Sequence, residues 1–294
     1  MSDKIKGIIY TICSAVIFGF TPILARMAFD GGANGITATF LRGSISIPFL
    51  FLFLKHKKIS LSPGEEWKML LTAGIPGMGM TTLLLYSSYS YISVGMATTI
   101  HFTYPIIVTF VCFLLFKDSM NRRKVAALIL CTAGIAAFME KISFQGGKGI
   151  LLSLLSGVTY ALYMLCVDKG RLKEIHYLKL TLYLNLCMSF TSGIWGVYTG
   201  ELNLALTPKA WLLCSMVSLF VSFGAVPLLQ LGIKWTNAST AAILSTMEPI
   251  TSVFLGILFL NESLTWIKWI GCILILMSIW LIASGEPKFS VRTD

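Results

Sequence analysis

A lone carboxylate stands inside the apolar run TAAILSTMEPITSVFLGILFL (240–260): Glu248, directly before Pro249. These 21 residues can cross about 30 Å of hydrocarbon as a helix. A charge near the middle of such a helix costs about 2.5–3.5 kcal/mol on insertion scales unless water or a partner meets it. Pro249 has no N–H, so the carbonyl one turn earlier, at Ser245, loses its helical donor. Backbone freed at that depth is tolerated where it is buried in protein or lines water. Ser245, Ser252 and the small Ala241 share the face of Glu248. The pattern points to a wet pocket in which Glu248 meets a substrate or carries a coupling proton. The competing reading is a structural carboxyl bonded to its neighbours.

A second group lies in MATTIHFTYPIIVTFVCFLLFKDSM (96–120), where His101 and Tyr104 precede Pro105. His101 is the one histidine within a predicted span; His56 and His176 fall in loops. An imidazole there can carry a proton near neutral pH or donate to a carboxylate, or it can simply be satisfied by an adjacent helix. Tyr160 and Tyr163 share a helical face, as do Phe18 and Thr21, while Tyr86 and Gln230 add hydrogen-bonding tips. Together with Glu248, His101, Tyr104 and Ser245 they form the expected substrate-binding set: an aromatic wall with a few polar groups, suited to an amphipathic or aromatic small molecule. Pro22, Pro105, Pro227 and Pro249 are the expected helix breaks or hinges, with Pro76, Gly77, Gly79 and Gly224 as companions. Arg42, seven residues into its span, is expected to snorkel or cap a neighbouring helix end, with substrate binding as the lesser alternative. Asn185 is expected to hold helices together.

The elements that position these residues are membrane helices. Charged residues make up 12% of the 294, hydrophobic residues 56%, and mean hydropathy is +0.80; soluble domains carry about 25% charged residues. Ten spans are predicted, near 5–28, 35–54, 68–88, 95–116, 124–139, 149–167, 180–198, 210–233, 239–260 and 268–284. The net charge of +10 has a topological meaning. With the N-terminus inside, clusters such as Lys55, Lys57, Lys58 and Lys117, Arg122, Arg123, Lys124 fall on the inner side, as do Lys288 and Arg292. Only Lys141, Lys148, Lys209 and Lys268 fall outside. That asymmetry places both termini in the cytoplasm and removes the case for nucleic-acid binding. The lysines ahead of the first apolar run are followed by no small-residue cleavage pattern, so that run is expected to be retained. The seven cysteines fall in predicted spans without a CxxC pair and are expected to be buried thiols.

Sliding the chain by 144 residues lays MATTIHFTYPIIVTFVCFLLFKDSM over TAAILSTMEPITSVFLGILFLNESL (240–264), with Pro105 on Pro249 and Tyr104 on Glu248. Nearly the same offset puts KGIIYTICSAVIFGFT (6–21) on KGILLSLLSGVTYALY (148–163). Two units are expected, 1–140 and 141–294. Each holds five spans, an odd number, so equivalent helices cross in opposite directions. Such inverted repeats recur in secondary transporters.

The chain resembles the EamA family of the drug/metabolite transporter superfamily over nearly its whole length. The resemblance rests on AVIFGFTPILARMAF (15–29), FLRGSISIPFLF (40–51), the stretch 83–120, and 227–285 with its Pro, apolar run, NESL and Gly271 helix. It implies an all-α polytopic fold of ten helices around a central cavity lined by helices 1, 3, 4, 6, 8 and 9. It also implies a secondary carrier, an exporter of an amino acid or related compound; a cationic or nucleotide-like metabolite such as S-adenosylmethionine is the alternative. A membrane enzyme is disfavoured by the absence of HExxH, GxSxG or a P-loop, and a channel by the absence of a filter sequence. The expected partners are a small-molecule substrate, the lipid bilayer and a coupling proton, with no nucleic acid, cofactor or metal. A monomer or weak dimer in the cytoplasmic membrane is expected.

Overall fold

The computed structural model describes residues 2–138, 146–260 and 265–284. The NESL motif, Lys141, Lys288, Arg292 and the expected unit boundary lie outside them. The described chain is helical throughout: α1 (Asp3–Phe29), α2 (Gly35–His56), α3 (Trp67–Ser88), α4 (Val94–Phe116), α5 (Arg122–Ala136), α6 (Gly147–Lys169), α7 (Tyr177–Thr199), α8 (Pro208–Trp235), α9 (Ala238–Leu244 continued by Met247–Leu260) and α10 (Trp266–Ser284). Eight of these are long and apolar enough to span a membrane as single helices. The other two are α5, with 15 residues, and α9, which is broken.

Helix starts follow local chemistry. Ser2, Asn34, Ser93, Asn121, Thr207 and Asn237 each accept a hydrogen bond from a backbone N–H in the first turn of the helix they precede. Those donors would otherwise be orphaned. Large apolar side chains such as Leu115 and Leu258, each 72% exposed, cover the outer surface, as a lipid-facing belt requires. Six cysteines are buried and all seven are free. Cys13 departs from the expected burial, because it lies on the α1 face that also exposes Ile9 and Phe20.

Four helices carry irregular backbone. In α4 the helix stops at His101 and restarts at Tyr104; in α9 it stops at Leu244 and restarts at Met247. Each break stands just ahead of a proline, Pro105 or Pro249, that removes the donor for the carbonyl four residues back. The Ser245 carbonyl accepts instead from the Glu248 N–H at 3.0 Å. Wide π-helical turns interrupt α3 at Ala73–Gly79, around Pro76, and α8 at Val221–Ala225, just before Pro227. The Ala225 carbonyl at the end of that turn accepts from Ser14 Oγ at 2.6 Å. Pro22 behaves differently from expectation: α1 runs unbroken through it. Phe18, whose carbonyl loses its donor, borders the central cavity rather than lipid.

Packing pairs α5 with α10, α2 with α7 and α3 with α6, while α1 lies against α8 and α9. Asn185 of α7 donates to Ser46 Oγ of α2 at 2.7 Å and to Ser222 Oγ of α8 at 2.8 Å, the three-helix tie expected of it. The α5–α10 contact is a close backbone approach. A Cβ at Gly134 would meet the Gly271 carbonyl at 2.8 Å, and one at Gly271 would meet the Gly134 carbonyl at 2.7 Å. Neither neighbour is a side chain that can move aside. Gly134→Val should therefore destabilise the protein by about 1–3 kcal/mol, as overpacking does. Thermal unfolding in detergent would show the lowered midpoint, and an unchanged midpoint would refute the close contact.

Candidate functional site

The protein has two faces. One carries the N-terminus, the α4–α5 and α6–α7 turns and the α8–α9 turn; it is the basic face. Between the faces lies a narrow chamber with a cavity volume of about 40 Å³. Phe18, Thr21 and Pro22 of α1 line it, with Arg42 of α2, Met78, Thr81, Thr82, Leu85 and Tyr86 of α3, and Tyr89 just beyond. His101 of α4, Tyr160 of α6 and Glu248 of α9 complete the wall. Compared with the helix set that the resemblance implies, α2 is added and α8 contributes nothing.

Glu248 reaches the chamber because α9 breaks one turn earlier and α1 comes close at Gly19, where a Cβ would meet the Glu248 carbonyl oxygen at 3.0 Å and Thr251 still closer. The side chain is half-buried, since its carboxyl borders the cavity. Among the described residues no hydrogen bond or ion pair reaches that carboxyl. Ser252, on the same face, donates to the Gly19 carbonyl at 2.9 Å instead.

His101 Nδ1 lies 2.9 Å from Ser156 Oγ, and Ser156 Oγ also lies 2.6 Å from the Ser153 carbonyl. The carbonyl must take the hydroxyl hydrogen, so the hydroxyl accepts from His101 Nδ1–H. In the uncharged ring this leaves Nε2 with the free lone pair. Arg42 is 6% exposed and does not snorkel. Its guanidinium lies 5.9 Å from the Phe18 ring centroid and 5.8 Å from that of Tyr86, and Nη1 is 3.4 Å from the Tyr86 hydroxyl. The face of α2 that carries Thr39, Arg42 and Ser46 is turned into protein, so the long side chain has no lipid boundary to follow.

Other expected site residues stand below this chamber. Tyr104 packs on Tyr160 at 4.8 Å and on His101 at 5.3 Å. Ser245 is buried close to Tyr104. Tyr163 packs on Tyr160 at 5.6 Å and is fully buried. Gln230 donates to Thr181 and borders a cleft at the basic face with His176 and Trp235. So the chamber gathers Phe18, Thr21, Tyr86, His101, Tyr160 and Glu248; Tyr104, Tyr163, Ser245 and Gln230 form the packed layer between it and the basic face.

The two ends are closed unequally. At the basic face Asp168, 4% exposed, accepts from the Ala238 N–H of α9 at 3.1 Å and from Lys173 at 2.8 Å. Lys169 lies 3.4 Å from Asp168 and 2.8 Å from Asp118 in the α4–α5 turn. Cys112, Asp118 and Asp168 approach one another closely enough to suggest a metal group, but the two lysines already balance the carboxylates. The sequence signal for this clamp, KDSM at the end of α4 and VDKGRLK at the end of α6, reads only as basic loops. At the opposite face a vestibule of about 2000 Å³, open to bulk, is lined by Arg26, Asp30, Ser93 and Lys268. It shares Pro22 and Tyr89 with the chamber. Tyr89, packed on Tyr86 at 5.6 Å and Phe29 at 6.5 Å, is the partition.

The profile of the EamA-like transporter family matches residues 5–139 and again 147–284. An uncharacterized transporter of Synechocystis sp., sll1319, is 27% identical over 95% of this chain and 93% of its own length. The uncharacterized transporter YcbK of Bacillus subtilis is 26% identical over 92% and 90%, and one from Clostridium kluyveri is 24% identical over 96% and 94%. A crystal structure 16% identical in sequence superposes with a TM-score of 0.70, covering 92% of this chain and 97% of that one, which establishes a shared fold. A multi-span helical bundle enclosing a polar chamber, with the family profile repeated along its length, makes this chain a membrane transporter that belongs to the EamA-like family of the drug/metabolite transporter superfamily.

Proposed function

We propose that this protein is a secondary transporter that exports an amino acid or related compound across the cytoplasmic membrane by alternating access. The observation that carries the reading is the Glu248 carboxyl, held in a chamber between the two faces with no protein partner among the described residues. A charge kept at that depth without a partner has a ligand or proton as its natural counterpart. The halves 1–140 and 141–294 act as inverted repeats. The double profile match supports this, as do breaks in α4 and α9 at positions 143 residues apart in sequence. The family resemblance supplies the direction of transport, and the basic face is taken as cytoplasmic.

The unequal closure describes one stage of the cycle: the chamber is sealed toward the cytoplasm by the Asp168 clamp and a packed aromatic layer, and toward the outside by Tyr89 alone. Opening inward requires Asp168 to release Ala238 and the lysines. A cationic or nucleotide-like metabolite such as S-adenosylmethionine is the second reading, favoured by the same unpaired carboxyl.

Two experiments test this. In proteoliposomes, Glu248→Gln should lower amino-acid counterflow about ten- to hundred-fold, the range expected when a charge-assisted hydrogen bond is lost, while the protein stays monodisperse. His101→Ala should lower it less. Normal transport by both variants would reduce the two residues to scaffold. Asp168→Asn should bias the protein inward. Losing about 1 kcal/mol of closing energy gives about a five-fold population change. A cysteine introduced as Tyr163→Cys should then react about that much faster with a polar maleimide from the cytoplasmic side. Equal rates with and without Asp168→Asn would remove the clamp from the mechanism.

A further inference from the structure

Arg42 is a buried cation with few polar partners among the described residues. A guanidinium carries five N–H donors in a planar fork, and it matches a carboxylate with two parallel hydrogen bonds. Here the group is enclosed within the span, its Nε has no partner, and its one side-chain hydrogen bond, to the Tyr86 hydroxyl, is long at 3.4 Å. Among the described residues no carboxylate lies within ion-pairing distance. Glu248 borders the same chamber and still makes no pair with it. Two opposite charges therefore face one small space, attracting each other across it without a direct ion pair. A helix-fixing role would have spent those donors on backbone carbonyls or on Glu248.

We propose that Arg42 is the carboxylate-binding residue of this chamber. The transported compound lies across it as a zwitterion, with its carboxylate on Arg42 and its ammonium group between Glu248 and His101. This deepens the transport reading given above and rests on it. The His101 tautomer fits the assignment: Nδ1–H is committed to Ser156, which leaves Nε2 to accept from an ammonium N–H. Glu248 also accepts. Arg42 donates only. The chamber thus sorts the two ends of an amino acid by donor and acceptor chemistry. Phe18, Met78, Leu85 and Tyr160 supply apolar walls between the charged ends, so the side chain accommodated is small and uncharged. A phosphate dianion is disfavoured, since one guanidinium faces it and the Glu248 carboxylate repels it.

The test uses the purified full chain in detergent and compares five probes by thermal shift and by isothermal titration. They are L-leucine and L-phenylalanine, the amines isopentylamine and phenethylamine, which lack the carboxylate, and 3-phenylpropionate, which lacks the ammonium group. The wild-type protein should bind one or both amino acids at least ten-fold more tightly than the matching amine and than 3-phenylpropionate. Arg42→Gln should weaken amino-acid binding to the level of the amine and leave amine binding unchanged. Arg42→Lys should fall between. Wild-type protein that binds an amine as tightly as its amino acid overturns the proposal whether or not the variants fold. So does an Arg42→Gln protein that loses amine and amino acid alike, which marks Arg42 as scaffold. In both cases the transport reading survives, because an amino acid still binds. Wild-type protein that binds neither amino acid while S-adenosylmethionine shifts its melting overturns the proposal together with the amino-acid reading.

Discussion

A charge in hydrocarbon has to be surrounded by something other than lipid, and the arrangement of this bundle follows from meeting that demand twice. Glu248 and Arg42 sit on helices that could not carry them outward. Each would cost about 2.5–3.5 kcal/mol on an insertion scale, and the Pro249 break adds a backbone carbonyl that has lost its regular helical donor at nearly the same level. Protein has to come close on every side. The crossing of α1 over α9 at Gly19 is one such approach, and the packing of α6 on the broken region of α4 is another: a Cβ at Gly157 would meet the His101 carbonyl at 2.8 Å. That carbonyl is the one Pro105 deprives of its donor. Backbone breaks and small residues on the facing helix thus occur together, because close contact is what makes a break tolerable in a membrane.

The two ends of the chamber are sealed by different physics. Toward the basic face the seal is electrostatic at its rim and aromatic beneath, with Asp168 collecting a helix N-terminus and two lysines. Among the described residues every ion pair lies on this side. Toward the opposite face the contacts are hydrogen bonds and ring packing, such as the Lys148–Tyr91 hydrogen bond at 2.7 Å and Tyr89 against Tyr86. Lys169 and Lys173 are partly exposed, so solvent screening weakens their pull on Asp168. The buried end of the clamp, where the Asp168 carboxyl meets the Ala238 N–H, holds the start of α9 in place. α9 is also the helix that carries Glu248, so closing the basic face and positioning the site are the same act.

Hydropathy and charge bias were enough to read the spans, because both are sums over many residues and tolerate local error. The Glu248–Pro249 signal was legible for a related reason: a carboxylate and a proline in an apolar run conflict with their surroundings wherever the run is placed. Arg42 was misjudged as a snorkelling residue. Its depth is readable from the sequence, but the side of α2 on which it lies depends on packing against α7 and α8. The break in α9 splits a run that looks continuous in hydropathy, since apolar residues flank it on both sides. Gln230 was expected through its offset equivalence to Tyr86; Tyr86 lines the chamber, while Gln230 borders the cleft at the basic face.

The residues that missed the chamber are related to those that line it. By the sequence offset, Thr21 corresponds to Tyr163, Tyr86 to Gln230, His101 to Ser245 and Glu248 to Tyr104. In each pair the first member borders the chamber and the second is packed on the side of the basic face. Only Phe18 and Tyr160, which also correspond, both line it. Two identical halves related by inversion would give a symmetric cavity, and here the cavity leans away from the basic face. Inverted halves that adopt different conformations give this asymmetry directly, because one half shows the chamber the face that the other keeps packed. Exchange of those conformations would move the opening to the other side without any new fold. The hydroxyls of Tyr104 and Tyr163 lie beside Ser245 and Gln230, so the polar groups of that packed layer are buried among one another.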